Sequence, residues 1–281
     1  MSLTAPTRVF KDARDFQILY LSMFLLYGIW FLSWDANIVN YFTVFASCFL
    51  AQCIGIAFYN APLNSLKSAA ITALGLCILF KANILATFAL VGFISIIGKF
   101  LIQYKGKHVF NPSLFGIVVC LLITNDAWVS PGQWGNNFVV VSFLSAAALL
   151  VLLKVGRIDT SLSFLVSLML LEFARTVIYL GWEPEVFWYK FTSGTILLFA
   201  FFMVTDPVTT PKSAKGRIIW GCIIGVLTFV LSNWFQNYTA PIWALLIATP
   251  ITIFLNKLFK GNDFYWLPFS HTSFTKKPIQ Q

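Results

Sequence analysis

Charge is what this chain has least of. Only 10% of its 281 residues are Asp, Glu, Lys or Arg, against about a quarter in a soluble domain. Meanwhile 59% of the residues are hydrophobic and 30 are Phe. A water-soluble fold could not bury this much apolar surface behind so thin a polar shell, so a soluble globular domain is excluded. Histidine is also scarce, limited to His108 and His271. The five cysteines (Cys48, Cys53, Cys77, Cys120 and Cys222) lie inside apolar runs without a Cys-x-x-Cys pair. A disulfide framework, a zinc site or an iron–sulfur cluster built by this chain alone is therefore not expected. Nor is there a hydrolytic triad pattern, a metal constellation or a phosphate-binding glycine loop. Any redox chemistry must come from a bound cofactor.

What is present is a series of continuous apolar runs, without the period-two alternation of a membrane barrel. The class expected is an all-α polytopic membrane protein. Ten segments stand out, at about 15–33, 37–58, 65–80, 83–102, 109–124, 136–154, 160–180, 187–205, 216–234 and 240–259. Most reach the ~20 residues that a ~30 Å hydrocarbon layer needs. The connections are tight, which predicts one membrane domain over 1–281: a cytoplasmic N-terminal segment 1–14, membrane segments 15–259 and a cytoplasmic tail 260–281. No cleavable leader pattern precedes the first span, which follows Arg8, Lys11 and Arg14.

The net charge of +9 reports orientation rather than nucleic-acid binding; the expected partner is the lipid bilayer. With a cytoplasmic N-terminus and ten crossings, all 19 cations except Lys81, Arg175 and Lys190 fall on the inner side. A missed crossing would scramble that bias. Both termini are thus expected in the cytoplasm of a bacterial-type inner membrane. Ten spans divide into five and five, and an odd-numbered half inserted twice runs in opposite senses, as in inverted-repeat transporters.

Two proline-broken stretches carry the candidate chemistry. In Lys105–Ile123, KGKHVFNPSLFGIVVCLLI, Asn111 and Pro112 read as an N-cap followed by Pro at the first helical position. The helix from Pro112 to about Ile123 is only ~18 Å long, so His108 to Asn111 must enter the membrane region as extended backbone. Such backbone is tolerated where it is buried in protein or lines a cavity, and the helix start there is suited to an anion. In Phe199–Arg217, FAFFMVTDPVTTPKSAKGR, the helix should end at Val204 or Thr205, because Pro207 and Pro211 oppose its continuation. Asp206 then sits among Thr205, Thr209 and Thr210, able to bind a cation or polar ligand or to pair with a lysine. Plain turn chemistry explains the same composition. Elsewhere, Trp128 and Trp134 read as interfacial anchors, and Glu172 and Arg175 are expected to pair along one helix face.

The blocks FNPSLFG (Phe110–Gly116), SGTILLFAFFMVTDPVTTP (Ser193–Pro211) and KGRIIWGCIIGVL (Lys215–Leu227) resemble signatures of the RnfD/NqrB family. These proteins are membrane subunits of ion-translocating, flavin-containing electron-transport complexes. The SPGQWG element (Ser130–Gly135) is similar to RnfD-related proteins encoded near enediyne biosynthesis genes. The likeness covers roughly residues 80–260. It implies a 5+5 inverted repeat like that of urea transporters, bound FMN or riboflavin, and electron transfer to a partner subunit or quinone. By motif position it implies Asn111, Pro112, Ser113, Gly194, Thr195, Thr205, Asp206 and Pro207 near the flavin. The Ser-Gly-Ala-Thr motif that carries covalent FMN in this family is missing from Thr124 to Ser163, so noncovalent binding is expected. Two other readings stand beside this one: a transporter or channel for a small solute or ion on the same scaffold, and a scaffold subunit docking partners through Gly261–Pro278.

Overall fold

The computed structural model describes residues 12–34, 37–130, 156–191, 194–262 and 264. The expected sixth span, the SPGQWG element beyond Ser130, Trp134, Lys154, the residues before Asp12 and most of the tail lie outside them. Every other marked segment carries helix. Helix α1 (Ala13–Phe31) starts at Asp12, whose carboxylate accepts from the Arg14 amide, and α2 (Ile38–Tyr59) starts at Asn37, capped onto Val39. Then follow α3 (Leu66–Leu79), α4 (Leu85–Leu101) and the short α5 (Pro112–Ile123). The second half holds α6 (Ile158–Phe173), running into a π-helical turn over Ala174–Tyr179, and α7 (Pro184–Phe191). Next come α8 (Gly194–Leu198) with its π-helical extension Phe199–Met203, α9 (Ala214–Asn233), α10 (Ala240–Ala248) and α11 (Ile251–Leu258).

Among the described residues, three helices can cross a membrane by length and composition: Ile38–Tyr59, Ile158–Tyr179 and Ala214–Asn233; counting each bent pair as one span raises this to five. Polarity is distributed as lipid demands. Gln52, Ser95, Thr160 and Ser161 are wholly buried, whereas Phe42, Phe58 and Ile178 are more than 70% exposed on the outside. Water would penalise those exposed rings, while lipid tails accept them, and Gln52 finds its partners, Ser65 and Lys99, in the interior.

Packing repeats between the halves. Helix α2 lies along α4 and α4 along α5; α6 lies along α9 and α9 along α10, while α10 also touches α5. Small residues make the close seams, as between membrane helices generally. A Cβ on Gly221 would stand 2.8 Å from the Thr160 carbonyl oxygen, and one on Gly225 3.0 Å from that of Phe164. In the first half a Cβ on Gly116 would stand 2.8 Å from the Val91 carbonyl oxygen.

Two small antiparallel ladders tie off chain ends. Strand β1 (Phe80–Ala82) pairs with β4 (Ala127–Val129), so the end of α3 is fastened to the exit of α5. Strands β2 (Gln103–Tyr104) and β3 (Lys107–His108) form a hairpin turned by Lys105 and Gly106, both at positive φ. The approach to Asn111 is extended as expected. Its backbone is paired within this hairpin, with Val109 N donating to the Ile102 carbonyl at 3.0 Å.

Candidate functional site

Both proline-broken stretches arrive at one place. Asn111 caps α5 by accepting from Leu114 N at 3.3 Å, with Pro112 at the first helical position where its missing N–H costs nothing. On the other strand of the junction, Asp206 is held by its own turn. Its carbonyl accepts from Thr209 N and Thr210 N at 3.2 and 3.1 Å, and its Oδ1 accepts from Val208 N at 3.1 Å. That leaves Oδ2 facing α5: Asn111 Nδ2 donates to it at 3.3 Å and His108 Nε2 stands 3.8 Å away. A carboxylate beside the first turn of a helix is favoured by the unpaired amides there. The lysine pairing considered for Asp206 is replaced by this Asn–His environment.

Around this junction lie two cavities. One of about 80 Å³ is bordered by Arg14, Gln17, Thr72, His108, Asn111, Pro112, Ser113, Asp206 and Pro207. Arg14 is forked onto Asp12 at 2.6 to 3.1 Å and donates to the Asn64 carbonyl. Burial pulls the Asp12 pKa up, but the hydrogen bonds and charge of Arg14, with help from Lys67, outweigh it and hold the carboxyl below its ordinary 3.8. The other cavity, of about 260 Å³, lies across Pro207 and Val208 and is bordered by Lys105, Lys107, His108, Arg157, Thr210, Lys212, Thr252, Asn256 and Lys257 among others. Lys212 N donates to Asn256 Oδ1 at 2.8 Å, fixing the loop after Pro211 to α11. Arg217 closes a bidentate pair with Asp159 at 2.8 and 2.9 Å.

Of the residues singled out by motif, Asn111, Pro112, Ser113, Asp206 and Pro207 are brought together. Ser113 spends its hydroxyl on the Thr72 carbonyl at 3.2 Å. Thr205 is buried, with its hydroxyl turned back onto the Phe201 carbonyl of its own helix. Gly194 and Thr195 open α8, roughly 14 Å of helix away from Asp206, and their side chains lie outside the described set. His108, Arg14 and Arg157 join the site without having been singled out for it. Their sequence signal was weak, because cations on the inner side read as orientation markers.

At the far end of α10 is a third cavity, of about 350 Å³ and mostly apolar, bordered by Leu79, Leu168, Glu172, Lys190, Phe199, Thr228, Tyr238, Thr239 and Pro241 among others. Glu172 is 4% exposed and accepts from Lys190 Nζ and Asn233 Nδ2, each at 2.7 Å. This replaces the expected Glu172–Arg175 pair. Helix α7 returns Lys190 alongside α6, so a partner from another element wins over the one three residues on.

Apolar-faced helices with polar interiors and interrupted central segments make this a polytopic membrane protein. Comparison with known proteins then gives the lineage. The model of the "NQR2, RnfD, RnfE family" matches residues 126–264, and over that stretch the chain is similar to that family. Curated relatives, each named for its place in an "Ion-translocating oxidoreductase complex", include that of Cellvibrio japonicus, 30% identical over 126 residues, 44% of this chain and 35% of that protein. The one from Methanosarcina acetivorans is 28% identical over 180 residues, 57% of this chain and 58% of its own length. That of Colwellia psychrerythraea is 34% identical over 116 residues, 41% and 33% respectively. The matches thus span between about a third and three fifths of these relatives' lengths.

Proposed function

We propose that this chain is a membrane subunit of an ion-translocating electron-transfer complex, holding FMN or riboflavin noncovalently where Asn111 and Asp206 meet. On this reading it spans the bilayer ten times as two inverted halves, with both termini cytoplasmic, and passes electrons to a partner subunit or quinone. The relatives named for such a complex support the assembly, and the matching α2–α4–α5 and α6–α9–α10 packing supports the repeat. The observation that carries the site is the Asn111 Nδ2–Asp206 Oδ2 hydrogen bond, which joins two motifs 95 residues apart.

The donor set suits a flavin ring. An isoalloxazine presents an imide N–H flanked by two carbonyls, and the junction offers a carboxylate acceptor between an amide and an imidazole. Bound there, a flavin supplies one- and two-electron transfer that the side chains cannot. Asp206 would hold such a group as acceptor for the imide hydrogen and Asn111 and His108 as donors toward the carbonyls, with Pro207 and Val208 on the side of the neighbouring cavity. Ser113 ties the start of α5 to α3 through the Thr72 carbonyl. The visible spectrum of the detergent-solubilised protein tests this. Yellow protein that releases free flavin on denaturation is expected; colourless protein that takes up neither FMN nor riboflavin refutes the site.

A second reading, a small-solute or ion transporter, draws on a specific feature: cavities at both ends of the short helix α10. Interrupted helices at the bundle centre are the transporter pattern. Flux of flavins, small polar solutes or ions into proteoliposomes would favour it.

A further inference from the structure

Arg157 differs from Arg14 and Arg217 in its partners. Arg14 is neutralised by Asp12 and Arg217 by Asp159. Arg157 is as buried as Arg14, at 7% exposed, and more so than Arg217. Yet its Nε donates to the neutral Thr210 hydroxyl at 3.1 Å, its Nη1 reaches the Gly156 carbonyl at 3.4 Å, and its guanidinium lies 5.5 Å from the Phe264 ring centre. Among the described residues no carboxylate forms an ion pair with it. Taking a guanidinium out of water without a counter-charge is costly, and protein interiors normally supply one. Burial, and then the nearby Arg217, push its pKa down to about 10 against the pull of Asp159 and Asp206, which leaves it charged at neutral pH.

Further cations line its cavity. Lys105, Lys107, Lys212 and Lys257 border it with Arg157, and no Asp or Glu is among the described residues that do. Thr252 also borders it, and its Oγ1 is buried with no partner among the described residues. A carboxylate ligand would use a fork and one or two point charges. A tetrahedral anion with three or more oxygens uses the guanidinium fork, several ammonium groups and a hydroxyl donor together.

We propose that this 260 Å³ cavity is a binding site for a phosphate-bearing ligand, with Arg157 as its principal anchor and the lysines as its rim. The ligand is either a soluble phosphoester or the headgroup of an anionic phospholipid; both present the same group to Arg157. The cavity shares His108, Pro207 and Val208 with the junction, but Arg157 and the lysines do not border the space beside Asp206, so the proposal stands whether or not a flavin binds there.

The test uses the full chain purified in a detergent without phosphate. In one arm, inorganic pyrophosphate is titrated at ionic strength held constant with sodium chloride, and binding is read by calorimetry and by the thermal midpoint. In the other, the protein is reconstituted into phosphatidylglycerol or phosphatidylcholine nanodiscs, and retained lipid is counted by native mass spectrometry. Saturable pyrophosphate binding that Arg157→Gln weakens about tenfold or more supports the proposal with a soluble ligand. Retention of phosphatidylglycerol but not phosphatidylcholine, lost in Arg157→Gln, supports it with a lipid headgroup. Should Arg157→Gln not fold, Lys257→Gln carries the test: its side chain is exposed on the rim, and about threefold weaker binding is expected. Binding in both arms that neither substitution changes overturns the proposal, as does the absence of binding in both. Neither pyrophosphate nor the lipid headgroup carries a flavin ring, so this result is separate from the spectral test at Asp206.

Discussion

Helices α5 and α10 are both short, both carry proline in the first turn, and touch each other within the bundle, yet they open onto opposite surroundings. The start of α5 is capped by the Asn111 side chain and faces a carboxylate, with His108 beside it. The start of α10 has no side-chain cap: Thr239 turns its N–H and hydroxyl to Asn237 Oδ1, each at 2.8 Å, and the helix opens onto an apolar cavity. The same local device, a polar residue before a proline-started helix, therefore marks a break without determining what the break is for. The groups brought up by other elements decide that: Asp206 and His108 at one end, Leu168, Phe199 and a neutralised Glu172 at the other.

Removing the deciding group from each end tests the contrast. Asp206→Leu strands the Val208 amide and the Asn111 amide together, so a loss of about 2–4 kcal/mol is expected, along with loss of flavin retention. Unfolding in detergent and the bound-flavin absorbance measure the two effects. Glu172→Leu should cost less, about 1–2 kcal/mol, because Lys190 is 37% exposed and can turn to solvent, and Asn233 Nδ2 keeps its bond to the Phe229 carbonyl at 3.0 Å. It should also leave the flavin spectrum intact; a spectrum lost at both ends would erase the contrast.

Acid should act at the Asp12–Arg14 pair. The folded pKa of Asp12 lies below its ordinary 3.8, so its contribution is complete above that value and is lost as pH falls through the folded pKa. The thermal midpoint of Asp12→Asn should therefore start lower at neutral pH and fall less steeply than wild type between about pH 5 and pH 2. Parallel curves would show that the Arg14 pair carries no such linkage. The smallest effect is expected at the outer cavity from Thr228→Val. The Thr228 hydroxyl is buried without a partner among the described residues, so the near-isosteric swap should be neutral or stabilising by up to ~1 kcal/mol. Destabilisation instead would mean that the hydroxyl is used by a water or ligand in the cavity.

How much of this was readable beforehand follows from the range of each interaction. Helix positions were legible because apolar runs are local: the marked segment 216–234 and α9 at Ala214–Asn233 differ by two residues at the start. The breaks at Pro112 and Pro207 were legible because proline acts on its immediate neighbours. The meeting of Asn111 with Asp206 was readable only as a possibility arising from their shared side. The Glu172–Lys190 contact was not readable. It depends on how α7 folds back, and an i,i+3 partner looks better on a helical wheel than a lysine 18 residues away. Arg157 was hidden by the sheer usefulness of its charge for orientation, which gives no hint that its own counter-ion is missing.

Nine-residue α10 has one further consequence. Its start borders the apolar cavity, and Thr249, just past its end, borders the cationic one. About 14 Å of helix thus lies between them, roughly half the ~30 Å of a bilayer's hydrocarbon layer. On the ten-span reading proposed above, with both cavities water-filled and open to opposite faces of the bilayer, the membrane voltage would fall across this septum rather than across the full layer, and the local field would be about doubled. An elementary charge moved from one cavity to the other then collects nearly the whole ~2.3 kcal/mol that 100 mV provides, over a path one short helix long.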